Sequence, residues 1–218
     1  MRNICRVTAA VVLSLMFVAC DLFLFPVRGR LNILDPKNEL VRYDKFLAPV
    51  VDGWVEEGSA ANADRFNQAF LYVGVNPPTL QPPPQNAWVL LRFDFSEFPM
   101  YAEYAELLLN CSSFTGSDDV QIFRITQPWE PKEVTAAHAV DPKFRDSPVD
   151  PSPVLSIDRV GYYSWSGDPM TNLIRLMIEE GEHHGFLLEA QYAGFEFHSS
   201  ENSVNPPQLH IVGWDNPD

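Results

Sequence analysis

The chain has 218 residues, 29 of them acidic and 15 basic, for a formal net charge of −14. Such a chain is repelled by nucleic acid and gains nothing from anionic lipid, so nucleic acid is not expected as a partner. Nineteen prolines, gathered at 77–84, 128–131 and 142–153, exclude a helical bundle, because proline lacks the amide proton that a helix interior needs.

Residues 1–19 read as a targeting segment. Arg2 and Arg6 make a basic start, and Val7 to Val18 make an apolar core too short to span a bilayer comfortably. It ends Phe17-Val18-Ala19-Cys20, a small residue followed by Cys, which looks like a bacterial lipobox with Phe17 where that pattern prefers Leu. The expectation is cleavage before Cys20, acylation of its thiol, and anchoring on the extracytoplasmic face of a membrane of the bacterial cell envelope. The alternatives are an ordinary secretory signal or an uncleaved anchor. Cleavage would remove two arginines and no acid, leaving the chain two charges more negative. It would also leave Cys111 as the single thiol, which excludes a disulfide framework and a cysteine-based metal site. Cys111 follows Ala105, Leu107 and Leu109 at period two, the pattern of a buried strand thiol.

Residues 20–39 form a tether after the lipidated Cys20, and 40–218 suit one domain without internal repeats. Early strands are expected at Trp54-Val55 and Leu71–Val75, around a polar turn at Ala63–Asn67 in which Asn67 suits a left-handed backbone. In Trp88–Phe95, Val89, Leu91, Phe93 and Phe95 make one apolar face, with Leu90, Arg92 and Asp94 opposite. Further strands are expected at Tyr104–Cys111, Val120–Ile125, Tyr162–Trp165, Phe186–Ala190, Phe195–His198 and Leu209–Trp214. A Ser/Asn/Pro-rich turn separates the last two, and Pro206-Pro207, which cannot donate to a ladder, stand at the start of the final strand. One helix is expected, with Asp168 as cap, Pro169 in the first turn, Leu173, Leu176 and Met177 on one face, and Gly181 at the end. Short strands between Pro-rich turns predict an all-β sandwich or barrel, with this helix covering one end.

Four segments resemble the DNRLRE-domain family. They are Asp64–Asn67 ahead of Leu71-Tyr72-Val73-Gly74; Leu90-Leu91-Arg92-Phe93-Asp94-Phe95-Ser96 with Phe98-Pro99; Trp129 with Val134-Thr135; and Thr171–Ile174 with Gly185–Leu188 and the Phe197-x-Ser199-x-Glu201 ending. Asn67, Pro131 and Ala136 depart from the family's Gly, Glu and Trp. The resemblance implies a jelly-roll-like antiparallel β-sandwich, a non-catalytic module of bacterial surface and carbohydrate-active proteins. Some relatives bind alginate, a polyanion that this chain has few basic residues to meet.

Candidate residues follow. Arg92 and Glu201, charged within apolar strand contexts, are expected to pair and tie the third strand to a C-terminal hairpin. Sugar-binding modules stack pyranose rings on exposed aromatics, and Tyr101, Tyr162, Tyr163 and Trp165 are the candidates for such a platform. Trp54, Trp88, Trp129 and Trp214 read as core or edge packing. His183-His184 read as a solvated loop, without the spacing of a zinc site. Asp118-Asp119, Asp141, Asp146, Asp150 and Asp158 offer oxygen ligands for calcium, although no EF-hand spacing is present. No Gly-x-Ser-x-Gly or phosphate-binding loop marks an enzyme. The expectation is therefore a lipid-anchored, non-catalytic envelope lipoprotein that binds carbohydrate or a surface protein. A purely structural scaffold is the alternative, and a polysaccharide-active enzyme comes third.

Overall fold

The computed structural model describes residues 40–59, 63–77, 86–147, 149–181 and 183–215. Twelve antiparallel strands run through them: β1 (Val41–Leu47), β2 (Val51–Glu56), β3 (Phe70–Gly74), β4 (Ala87–Arg92), β5 (Tyr101–Phe114), β6 (Asp118–Ile125), β7 (Arg145–Asp146), β8 (Val154–Ile157), β9 (Gly161–Trp165), β10 (Phe186–Ala190), β11 (Gly194–His198) and β12 (Gln208–Asp215). Two α-helices join them, α1 (Ala136–Val140) and α2 (Asp168–Glu180). Cys20 lies outside the described residues. Among those described, no helix is long and apolar enough to cross a membrane.

The strands form two leaves of an all-β sandwich. In the first, Leu107 of β5 pairs with both Leu209 and Trp165, and Cys111 pairs with both Phe197 and Gly161. A strand has two edges, so β9 lies on one side of β5 while β12 and β11 follow one another along the other. These two strands are therefore collinear, not the hairpin expected from the Ser/Asn/Pro-rich segment between them. Beyond them lie β1, paired with β12, and β3, paired with β11. The second leaf runs β2, β4, β10, β6, with β8 and β7 sharing the far edge of β6. The leaves are joined where Gly74 pairs with Ala87. Gly74 has φ +87°, and a Cβ there would lie 1.9 Å from the Ala193 carbonyl oxygen, so this corner requires glycine.

Strand alternation then builds the core. Val89, Leu91, Ile122, Phe186 and Leu188 of the second leaf face Leu107, Leu109, Phe195, Phe197, Leu209 and Ile211 of the first in one buried cluster. The second leaf is apolar on its other face as well. Trp88, Leu90 and Leu187 pack there under Trp129, Val134 and Phe144, with Ala139 of α1. Being covered on both sides explains why β4 and β10 read as continuous apolar runs.

Helix α2 begins after Gly167, with Asp168 inside its first turn instead of capping it, and ends at Gly181 in the left-handed region. Met170, Leu173, Ile174 and Met177 join the inter-leaf core, while Leu176 is only half-buried. The small side chains Ala102 and Ala105 are buried opposite, where the Ala105 amide donates to Thr171 Oγ1 at 3.1 Å. Left-handed backbone is found at Asn76 and Asn205, not at Asn67.

Candidate ligand-binding face

The outer face of the first leaf is built by register. Arg42, Asp44 and Phe46 of β1 stand opposite Trp214, Val212 and His210 of β12. His210 and Val212 in turn stand opposite Glu106 and Tyr104 of β5, and Ser164 of β9 is opposite Leu108. Directly paired residues share a face, so these side chains all point away from the core. A bulge between Val212 and Gly213 sets one extra β5 residue, Glu103, on the same side as Tyr104. Gly213 permits the bulge: a Cβ there would lie 2.0 Å from the Tyr101 carbonyl oxygen. Among the described residues no buried apolar cluster lies over this face as α1 and Trp129 do over the second leaf, although the Arg175 side chain of α2 reaches Tyr101 at its end.

His210 sits at its centre. Its Nδ1 lies 3.0 Å from Glu106 Oε1 and its Nε2 2.9 Å from Asp44 Oδ1. With a carboxylate on each nitrogen, both nitrogens act as donors, which is the protonated form. Burial pulls the His210 pKa down, but the two carboxylates outweigh it and the net shift is upward. Phe46 stacks on the imidazole with centroids 4.0 Å apart and planes 6° from parallel, and Tyr104 meets it edge-on at 5.9 Å. Glu106 also accepts from Ser164 Oγ at 2.6 Å. Burial alone would raise the Glu106 pKa; the donors Ser164, His210 and Tyr104 bring it below the ordinary value. At the far end Trp214 Nε1 donates to Glu103 Oε1 at 2.6 Å, and the Arg42 guanidinium lies 5.7 Å above the Trp214 ring.

This arrangement positions rings and carboxylates, and its order differs from that of a Ser–His–carboxylate triad. Ser164 donates to Glu106, so a carboxylate stands between the hydroxyl and the histidine that a hydrolytic triad would place next to it. At the edge of the same face a cleft of about 500 Å³ opens between β8 and β9. Asp150, Ser152, Ser164, Trp165 and Ser166 line it with three prolines.

The sequence-predicted aromatics divide. Tyr101 is 47% exposed on this face, opposite Trp214, with the Arg175 guanidinium 5.0 Å from its ring. Tyr162 is 61% exposed, opposite Asn110 on β5. Tyr163 points the other way, and its hydroxyl is held by the Asp158 and Arg159 amides at 3.2 and 3.0 Å. Trp165 is 2% exposed and donates to the Val120 carbonyl at 2.9 Å across the leaves, so it is core and not a stacking platform.

Arg92 does not pair with Glu201. It donates to the Trp129 carbonyl at 2.8 Å, lies 5.0 Å above the Trp129 ring and faces Glu130 at 3.7 Å. The 199–207 segment is held instead by buried Asp52, which accepts from the Ser200 amide at 2.6 Å and hydroxyl at 2.5 Å. Burial raises the Asp52 pKa against those two hydrogen bonds. Ser199 accepts from the Glu201 amide at 3.2 Å and donates to the Gln68 carbonyl, so the Phe197-x-Ser199-x-Glu201 ending closes a loop.

His183 is half-buried and not the freely solvated loop residue expected. It packs on Phe95 and Phe98, and burial, reinforced by His184, takes its pKa down to about 4. The aspartates serve separate structural tasks. Asp118 accepts the amides of Gln191, Tyr192 and Ala193; Asp146 pairs with Arg124; Asp158 meets Tyr163. Among the described residues no three ligating side chains converge in a way that could hold a metal ion. Burial takes the Cys111 thiol up to about 11.

The sequence reading missed β1 and the histidine at the centre of the face. A signal for β1 existed in the period-two order of Val41, Tyr43, Lys45 and Leu47, diluted by charge. For His210 there was none, since its partners Glu106 and Asp44 lie 104 and 166 residues away. The chain matches no protein-family model and none of the curated proteins.

Proposed function

We propose that this protein is a non-catalytic envelope lipoprotein, anchored through acylated Cys20, whose β-sandwich binds carbohydrate on the outer face of the first leaf. The observation that carries the reading is a sheet face, without a buried apolar cover among the described residues, on which aromatic rings alternate with ordered hydrogen-bonding groups. Phe46, 56% exposed, is braced from behind by His210, and Tyr101, Tyr104, Trp214 and Tyr162 extend the row across four strands. Pyranose rings stack their apolar faces on such rings, and their hydroxyls hydrogen-bond to carboxylates like Asp44 and Glu103. The resemblance to DNRLRE domains, with their carbohydrate-binding relatives, points the same way.

A second reading, a scaffold that docks a surface protein, is favoured by one feature. Tyr192 is 81% exposed on a turn whose three consecutive amides are held by Asp118, which presents a rigid aromatic anchor. A glycan array probed with the full-length protein in detergent, with and without calcium, separates the two. Saturable binding to one glycan class, lost in Phe46→Ala, supports the carbohydrate face. A blank array, with partner capture that depends on Tyr192, supports the scaffold.

A further inference from the structure

We infer that the glycan this face accepts carries free amino groups, a polymer of 2-amino-2-deoxy sugars, and not a uronate. The inference rests on the carbohydrate-binding reading and adds the ligand's charge. Asp44 and Glu103 flank the row formed by Val212 and Tyr104, one from β1 and one from the β5 bulge, and both are about half exposed. Asp44 uses Oδ1 for His210, and among the described residues its Oδ2 accepts no hydrogen bond. Asp150 adds a third carboxylate at the mouth of the adjoining cleft.

The cations of the face are already engaged. Arg42 lies against Glu103 and the Trp214 ring, His210 is enclosed by Asp44 and Glu106, and Arg175 is turned onto Tyr101 and the Ala102 carbonyl. A uronate laid across the rings would therefore bring its carboxylates against Asp44 and Glu103 with no free guanidinium or ammonium among these residues to meet them. Glu103 is already met by Arg42 and the Trp214 indole, so a protonated sugar amine in the same place gains its charge-assisted hydrogen bond at the open Asp44 Oδ2. The net charge of −14 steers a polycation toward the protein and a polyanion away. Stacking on Phe46 and Tyr162 supplies the sugar selectivity that charge alone lacks.

The test titrates full-length protein in detergent, at mildly acidic pH, with four oligomers of equal length: glucosamine, N-acetylglucosamine, a hexuronate and lysine. The glucosamine oligomer should bind about tenfold more tightly than its N-acetyl counterpart, a gap of about 1.4 kcal/mol that narrows as salt rises. Asp44→Asn should remove most of that gap, weakening glucosamine binding far more than N-acetylglucosamine binding. Equal binding of the two sugar oligomers, or tighter binding of the uronate, overturns the inference and leaves the carbohydrate reading standing. Lysine binding as tight as glucosamine, unaffected by Phe46→Ala, also overturns it, because the face would then be a general polycation surface. No binding of any sugar oligomer, with a blank array, removes the carbohydrate reading itself.

Discussion

Replacing Arg124 with methionine should lower the melting temperature of the sandwich by about 5–8 °C. The Arg124 side chain is 10% exposed at the end of β6. It binds Asp146 of β7 through two hydrogen bonds, Nε–Oδ1 at 3.0 Å and Nη2–Oδ2 at 2.6 Å, and it pairs with Glu180 at the end of α2. One cation thus ties a two-residue strand and a helix terminus to the second leaf. Removing one partner of a buried pair costs about 3–5 kcal/mol when the orphaned charge stays buried. Here Asp146 and Glu180 are 35% and 47% exposed and can regain water, which brings the expected cost to about 2–3 kcal/mol. Methionine retains most of the apolar stem, so the loss is electrostatic and not a cavity. For a domain of about 180 residues the unfolding entropy is about 0.4 kcal/mol/K, which converts that cost into the stated shift. Calorimetry on the wild type, Arg124→Met, Glu180→Gln and the double variant gives the coupling directly. A neutral or stabilising Arg124→Met, or a coupling near zero, would refute the assignment of Arg124 as the clamp on α2.

Other outcomes follow from the same structure. Because the carboxylates raise the His210 pKa, its contribution is fully present below the unfolded value of 6.5 and is lost as pH rises through the higher folded value. Urea midpoints measured across pH should fall in that upper window for the wild type and stay flat there for His210→Gln. His183 acts in the opposite sense: its folded pKa of about 4 makes stability fall as pH drops from 6.5 toward 4, a limb that His183→Phe should remove. Gly213→Ala should cost about 1–3 kcal/mol and abolish glycan binding, because its Cβ would lie 2.0 Å from the Tyr101 carbonyl and the bulge carrying Glu103 must move. Retained binding with an unshifted denaturation midpoint would contradict that. Cys111, buried with its pKa up at about 11, should react with a thiol reagent only on unfolding. Rapid labelling of the native protein would show the first leaf to be open.

The periodic elements were legible because their cause is local. Period-two alternation in Tyr104–Cys111 and Leu209–Trp214 places every second side chain in the core whatever the partner strand is, and both segments are strands. Helix α2 was legible from Pro169 and Gly181, since the restrictions on proline and the left-handed freedom of glycine act within a single turn. Charges inside strands misled. Arg92 meets Glu130 from the segment that follows β6, and nothing in the one-dimensional order favours that carboxylate over Glu201. The break between β11 and β12 read as a hairpin turn because Ser, Asn and proline mark any reversal or excursion alike. Only the pairing of both strands with one edge of β5 identifies an excursion.

The sequence by itself determined that this protein is an acidic all-β domain with its apolar residues sorted into inward and outward rows. That sorting is dictated by backbone pleating and by the free energy of removing apolar surface from water, both written residue by residue. The tertiary structure alone decided which outward row lies outside both apolar clusters of the described residues and which residues meet on it. Asp44, Glu106, Ser164 and His210 come from four strands spread over 166 positions, and they converge through strand order and register, which depend on the whole chain at once.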